Sequence, residues 1–231
     1  MRVTRNYLSP LVNGNGGMDS TTSLLQRALS RSSKGRRTHR SDQLTGSKNN
    51  PFAGLVNTTQ NTEKLYYNMK YHAGQVEDYA KKLTDNGEKS LFARAKENGS
   101  TSEIVANIKG FVGQYNSMMK NLKDSGSRAD STYVTQFNNI AGMNRSELAA
   151  CGVTKNADGT LSVDEKKLAS ADIDTLAKAW GTDSGFAGRV GHWADSVESS
   201  AESSMQAQVS SAYTTFLNSY GSRGNFFNFL R

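Results

Sequence analysis

The sequence LYYNMKYHAGQVEDYAKKL, residues 65–83, decides the fold class of this chain. Its apolar side chains alternate at spacings of four and three, through Leu65, Met69, His72, Val76, Tyr79 and Leu83. Such spacing is typical of a heptad seam, along which one helix packs against another. His72 is the polar member, and we expect it at the edge of the seam, where it can fix the register of the helices. The stretch therefore predicts a long helix with one apolar face.

Two other stretches repeat this rhythm. Residues 101–124, TSEIVANIKGFVGQYNSMMKNLKD, carry it through a second helix, and Phe186 begins a third series that continues to Val197. Apolar faces of this kind pack between helices of one chain or between chains. The candidate helix or oligomer interface consists of Leu65, Met69, Val76, Tyr79, Leu83, Ile104, Ile108, Phe111, Tyr115, Met118, Leu122, Val190, Trp193 and Val197.

The stretch TKNADGTLSVDE, residues 154–165, has two interpretations. As a calcium loop it would place Asn156, Asp158 and Glu165 at ligand positions, but Thr154 stands where the first carboxylate belongs. As a hairpin it would join two short strands through Asp158 and Gly159, a pair that accepts the positive φ of a tight turn. We favour the hairpin, while weak calcium binding stays open.

These elements together predict a mainly α protein, an elongated antiparallel helical bundle or coiled coil with a small β-hairpin. Only two prolines interrupt 231 residues, which permits long helices. We expect a coiled-coil rod over residues 51–221, with the hairpin in a subdomain of about 144–181. Residues 1–50 are predicted to form a disordered basic tail, and residues 222–231 an apolar C-terminal tail.

The positive charge of the chain lies at its N-terminal end. Residues 1–50 contain nine Lys or Arg and two Asp, a net charge of +7, which equals the net charge of the whole chain. The rest is therefore close to neutral. Arg-rich segments of this kind attract anionic partners, but the tail lacks the interleaved aromatic residues that stack on bases.

The residues that could act in catalysis or bind a metal do not form a recognisable site. Cys151 is the only cysteine, so no disulfide can form within the chain, and we expect a buried, inert thiol. A nucleophilic pair of Cys151 with His192 lacks any group that would activate the thiol. His39 and His192 have no carboxylate or cysteine at metal-ligand spacing. We therefore expect no enzyme, no metal site and no cofactor, and no apolar run approaches the ~20 residues of a membrane span.

Three segments resemble the C-terminal part of the bacterial flagellar filament-capping protein family, the hook-associated caps. They are FVGQYNSMMKNLK at residues 111–123, SELAACGVTKNADGTLSVDEKKLASA at 146–171 and SGFAGRVGHWADSV at 184–197. Their order and approximate spacing resemble the family over residues 104–200. The opening MRVTRNYL and the closing FNFLR are also similar to the ends of flagellins and hook-filament junction proteins.

The resemblance implies a secreted structural protein that reaches the flagellum unfolded through the export channel and assembles there. Its partners would be further copies of itself, other flagellar proteins or an export chaperone. The chain is about half as long as a typical cap, and the large β-rich domains between the two coiled-coil arms are missing or reduced. We therefore expect this chain to share the architecture and the assembly role of the family more readily than the caps' position at the filament tip.

The apolar C-terminal end is the candidate docking segment for a partner. Phe226, Phe227, Phe229 and Leu230 lie together there, and they could dock on another subunit or a chaperone groove, or pack on their own bundle. The alternative function is that of a cytoplasmic helical dimer whose basic tail binds nucleic acid or another anionic partner, although the lack of interleaved aromatic residues argues against nucleic acid.

Overall fold

The computed structural model describes residues 53–221, and the predicted tails, 1–50 and 222–231, lie outside the described residues. Eight helices and one hairpin follow one another along this range. The first four helices are α1 (Ala53–Thr84), α2 (Leu91–Asn98), α3 (Ser102–Asp124) and α4 (Arg128–Met143). They are followed by α5 (Arg145–Ala150), β1 (Val153–Lys155), β2 (Leu161–Val163), α6 (Glu165–Ser170), α7 (Ile173–Trp180) and α8 (Phe186–Gly221). This confirms the predicted fold class in its mainly helical content and its small hairpin.

The chain divides into two compact units, one of which is Lys64–Ala207. The other comprises residues 1–63 and 208–231, of which the structure describes only the helical ends, residues 53–63 of α1 and 208–221 of α8.

Local sequence signals explain where the shorter helices begin. The side chains of Ser90, Ser127, Asp164 and Asp172 cap α2, α4, α6 and α7, each accepting a hydrogen bond from a backbone N–H of the first turn. These caps satisfy amide groups that have no partner inside a helix. Helix α2 ends at Gly99, whose φ of 70° is the left-handed conformation that glycine accepts most readily. These polar residues and Gly99 therefore mark helix boundaries.

The long helices α1 and α8 lie side by side and antiparallel within this unit. Lys70 Nζ is 3.3 Å from Glu202 Oε2, Gly74 faces Glu198, and Ala80 faces Gly191. Residue numbers thus rise along one helix as they fall along the other, as expected for helices that lie side by side in a bundle.

The buried seam of α1 differs from the predicted one at two positions. Tyr66 and Ala80 are buried where Leu65 and Tyr79 were expected, while Met69, Val76 and Leu83 lie in the core as predicted. Leu65 and Tyr79 are half-buried, and His72 is half-buried beside the buried Ala73, at the edge of the seam as expected. At Ala80 the physical reason is size, because a Cβ on Gly191 of α8 would lie 2.5 Å from Ala80 Cβ, and this close approach leaves no room for a tyrosine.

Candidate functional site

The hairpin is fastened to α3 by two neighbouring residues. Asn116 forms two hydrogen bonds with Leu161: its Nδ2 donates to the backbone oxygen at 2.8 Å, and its Oδ1 accepts from the backbone N–H at 2.7 Å. The Tyr115 hydroxyl donates to the backbone oxygen of Gly159 at 3.1 Å. Burial of this phenol raises the pKa of Tyr115 far above its usual range, so the hydroxyl remains a donor. The YN pair in FVGQYN thus holds the turn and the second strand.

An aromatic cluster joins the start of α8 to the same helix. The ring of Phe186 lies 5.9 Å from Phe111 and 6.0 Å from Tyr115, and Trp180 lies 5.3 Å from Phe186. All four rings are fully buried, and most of the contacts are edge-to-face, the arrangement that aromatic quadrupoles favour. The three segments that carry the resemblance are therefore packed on one another in a single core.

The residues of the alternative calcium loop form a hairpin. Strands β1 and β2 pair antiparallel with Thr154 opposite Ser162, and Gly159 takes a φ of 84° at the turn. Glu165 begins α6 and its carboxylate lies 2.7 Å from Lys109 Nζ. Within residues 53–221, no group of three or more His, Cys, Asp or Glu side chains could hold a metal ion.

Asp158 has a role in the turn itself. Its Oδ1 accepts from the Thr160 backbone N–H at 3.0 Å, and its Oδ2 lies 3.5 Å from Lys123 Nζ. The hydrogen bonds from Thr160 hold the pKa of Asp158 below its usual value, with Lys123 contributing. This carboxylate therefore stabilises the turn, in place of the ligand role that the calcium interpretation gave it.

Eleven of the fourteen predicted interface residues lie in the core of the single chain. Met69, Val76, Leu83, Ile104, Ile108, Phe111, Tyr115, Met118, Leu122, Val190 and Val197 are buried, whereas Leu65, Tyr79 and Trp193 are half-buried. The buried set packs helix on helix within the unit Lys64–Ala207. Because these side chains have almost no exposed surface, a second copy could contact them only if the core opened.

The Cys and His side chains are not brought together. Cys151 is fully buried and its thiol donates to the Thr175 backbone oxygen at 3.4 Å, while His192 is exposed on α8. Burial raises the pKa of the Cys151 thiol to about 11, which opposes its use as a nucleophile. His72 is half-buried and its Nδ1 lies 2.7 Å from Gln114 Oε1, so it makes a polar contact between α1 and α3.

An exposed aromatic groove was missed by the sequence reasoning. Tyr67 and Tyr71 are 41% and 52% exposed, and with Gly74, Asp78 and Glu198 they line a groove of about 400 Å³ between α1 and α8. The available signal was the spacing of the two tyrosines, which are four residues apart on α1 and lie off the apolar seam. We call this surface the tyrosine groove.

Two further expectations concern docking and membranes. Phe226, Phe227, Phe229 and Leu230 lie outside the described residues. Among the helices that the structure describes, none combines the length and the apolar character needed to cross a bilayer.

Comparison with protein families, with curated proteins and with solved structures finds nothing that matches this chain.

Proposed function

We propose that the chain is a self-assembling structural protein of the bacterial flagellum, related in its role to the hook-associated caps. It works through contacts between chains and with other flagellar proteins, and it carries out no reaction. Export through the flagellar channel would place it outside the cell. The proposal rests on the resemblance of three sequence segments, and the packing of those segments supports it.

One observation carries the most weight. The segment 111–123 supplies Tyr115 and Asn116, which bond to Gly159 and Leu161 of the second segment, and the third segment supplies Phe186, which packs against Tyr115. The three segments therefore belong to one folded unit, which is what the resemblance requires.

The chemistry of the described residues agrees with a structural role. Asp164 and Asp172 cap helices, Asp158 holds a turn, and the Cys151 thiol is buried with its pKa raised. Carboxylates that serve as caps are engaged by backbone N–H groups, so their presence is explained without acid-base catalysis.

The burial of the apolar seams changes how assembly has to work. The helical faces that were expected to pair between chains are used inside the chain. Copies of the chain would therefore meet through surface grooves, through the tails or through both. Such contacts are more polar than a coiled-coil seam, and they respond to salt.

Sedimentation velocity of the full chain at micromolar concentration tests the assembly role. We expect oligomers, and a chain that ends at residue 221 measures the share of the apolar C-terminal tail. If the full chain and the shortened chain both sediment as monomers, self-assembly is excluded. Immunogold labelling of intact cells tests the flagellar location, since label spread evenly through the cytoplasm would contradict it.

The concentration of positive charge in residues 1–50 favours a second function, binding of nucleic acid or another anion by a helical dimer. A salt titration with duplex DNA separates the two functions. Binding that weakens steeply with salt supports the second function, and no binding even at low salt removes it.

A further inference from the structure

The tyrosine groove is the clearest unused surface of the unit Lys64–Ala207. Of the three large apolar side chains that stand exposed in the described residues, Tyr67 and Tyr71 lie here, and the third is Met143. Helix α8 comes close to α1 at the groove, since a Cβ on Gly74 would lie 2.9 Å from the Glu198 carboxylate. Two aromatic rings thus stand beside a cleft between helices.

Negative charge predominates beside these rings. Glu77, Asp78 and Glu198 line the groove together with one basic residue, Lys70. Burial raises the pKa of Glu198, Lys70 opposes this rise, and the neighbouring Glu77, Asp195 and Glu202 add to it. Three carboxylates and one ammonium group thus line the same groove.

The basic side chains nearby neutralise this face only in part. Lys70 pairs with Glu202 and also opposes the rise in the pKa of Glu198. Lys81 pairs with Glu77, and Asp78 and Asp195 help to raise its pKa. These two lysines stand against the five carboxylates of Glu77, Asp78, Asp195, Glu198 and Glu202, so the surface keeps a net negative charge beside its two rings.

This combination matches the chemistry of arginine. A guanidinium stacks on the face of a tyrosine ring and also forms paired hydrogen bonds with a carboxylate. The chain carries such residues at high density in RSSKGRRTHR, residues 31–40, where Arg31, Arg36, Arg37 and Arg40 occur with Lys34. Charge complementarity therefore favours this segment of the same sequence as the occupant of the tyrosine groove.

We propose that the tyrosine groove of one copy binds the arginine-rich segment 31–40 of a second copy. This inference rests on the proposed function and names the contact through which copies assemble. Since the segment and the groove are different surfaces, the contact is heterologous, and each copy can give a segment and receive one. Repetition of such a contact produces a ring or an open filament.

Photo-crosslinking between isotopically distinct copies of the full chain tests the inference. Tyr71→p-benzoylphenylalanine places the reactive ketone in the groove, and equal amounts of unlabelled and 15N-labelled chain are mixed before irradiation. Cleavage before aspartates releases residues 19–41 as one peptide, since Asp19 and Asp42 bound it. We expect crosslinks from position 71 to this peptide, including pairs that join a light and a heavy copy.

A matched pair of variants distinguishes the effect of charge at the groove from the effect of the total charge of the chain. The double change Asp78→Asn with Glu198→Gln should lower the crosslink yield several-fold. The control Glu88→Gln with Glu97→Gln removes the same charge from exposed positions away from the groove and should leave the yield unchanged. A reactive group at Lys120, exposed on α3, should not reach the peptide.

The outcomes are distinguishable. Crosslinks in which both partners always carry the same isotope would mean that the segment binds its own chain, which overturns the inference. Oligomers in sedimentation without any crosslink to residues 19–41 overturn the inference and leave the proposed function standing. Monomers in sedimentation remove both. Mixed-isotope crosslinks that the control variant retains and the groove variant loses support the inference.

Discussion

The side-chain amide of Asn116 forms hydrogen bonds with both backbone polar groups of Leu161, at 2.8 Å and 2.7 Å. An amide presents a donor and an acceptor side by side, as a backbone does, so Asn116 occupies the place that a further strand would take beside β2. Asn116 is the asparagine of FVGQYN, one of the motifs that carry the resemblance to the cap family. Its physical role is to attach the hairpin to α3.

Asn116→Ala should lower the free energy of unfolding by about 2–3 kcal/mol, because two half-buried backbone groups lose their partners. Urea denaturation measures the change. Asn139→Ala, at an exposed position on α4, is the control and should stay within about 0.5 kcal/mol of the parent. Equal effects of the two variants would contradict the role given to Asn116.

Gly152→Ala should cost about 3 kcal/mol or more, whereas Gly126→Ala should cost about 1 kcal/mol. Both glycines have positive φ, 78° and 63°, so both substitutions strain the backbone. Only at Gly152 would the new Cβ also meet backbone, with Asp164 O and Leu168 N both at 3.0 Å. Thermal unfolding of the two variants measures the difference, and a Gly126 variant that is the less stable of the two would refute this reasoning.

Gly191→Ala should destabilise the chain by about 1–3 kcal/mol, because the added methyl would lie 2.5 Å from Ala80 Cβ and push α8 away from α1. Gly113→Ala is the matched change on α3, where the new Cβ meets nothing within 4 Å. It should stabilise the chain by about 0.5–1 kcal/mol through helix propensity. Opposite signs in chemical denaturation are the expected result.

Alkaline pH should destabilise the chain partly through Cys151. Burial raises the pKa of its thiol from 9.0 to about 11, so the unfolded chain loses this proton first as the pH rises. The stabilisation is complete below pH 9 and is lost between pH 9 and 11, by at most about 3 kcal/mol.

The comparison is with Cys151→Ala, whose unfolding free energy should fall less over the same pH interval. The parent and this variant share every other titrating group, so the difference between their pH profiles isolates the thiol. Parallel profiles would show that the thiol ionises equally in both states. Thiol reagents at pH 8 should modify the parent only after it unfolds.

The helices were predictable because heptad spacing is a local signal, and the hairpin was predictable because Asp158 and Gly159 favour a tight turn. The exact seam of α1 was not. Ala80, and not the larger Tyr79, faces α8 at close range because its partner there is Gly191, and Gly191 is far away in sequence.

The tyrosine groove was predictable only in part. Tyr67 and Tyr71 lie off the apolar seam, which favours exposure, but Glu198, which completes the groove, is far away in sequence. Likewise, the sequence does not reveal that the interface residues become buried within one chain, because heptad spacing is the same for intramolecular and intermolecular packing.

The amide bridge from Asn116 to Leu161 also bears on aggregation. A two-stranded sheet has outer edges, and an open edge is where a foreign strand can attach and begin cross-β growth. On the β2 side, the groups of Leu161 that would recruit such a strand are already saturated by a side chain. The edge of β2 at Leu161 is therefore occupied by a side chain of the same chain, which lowers the tendency of the folded protein to aggregate through this hairpin.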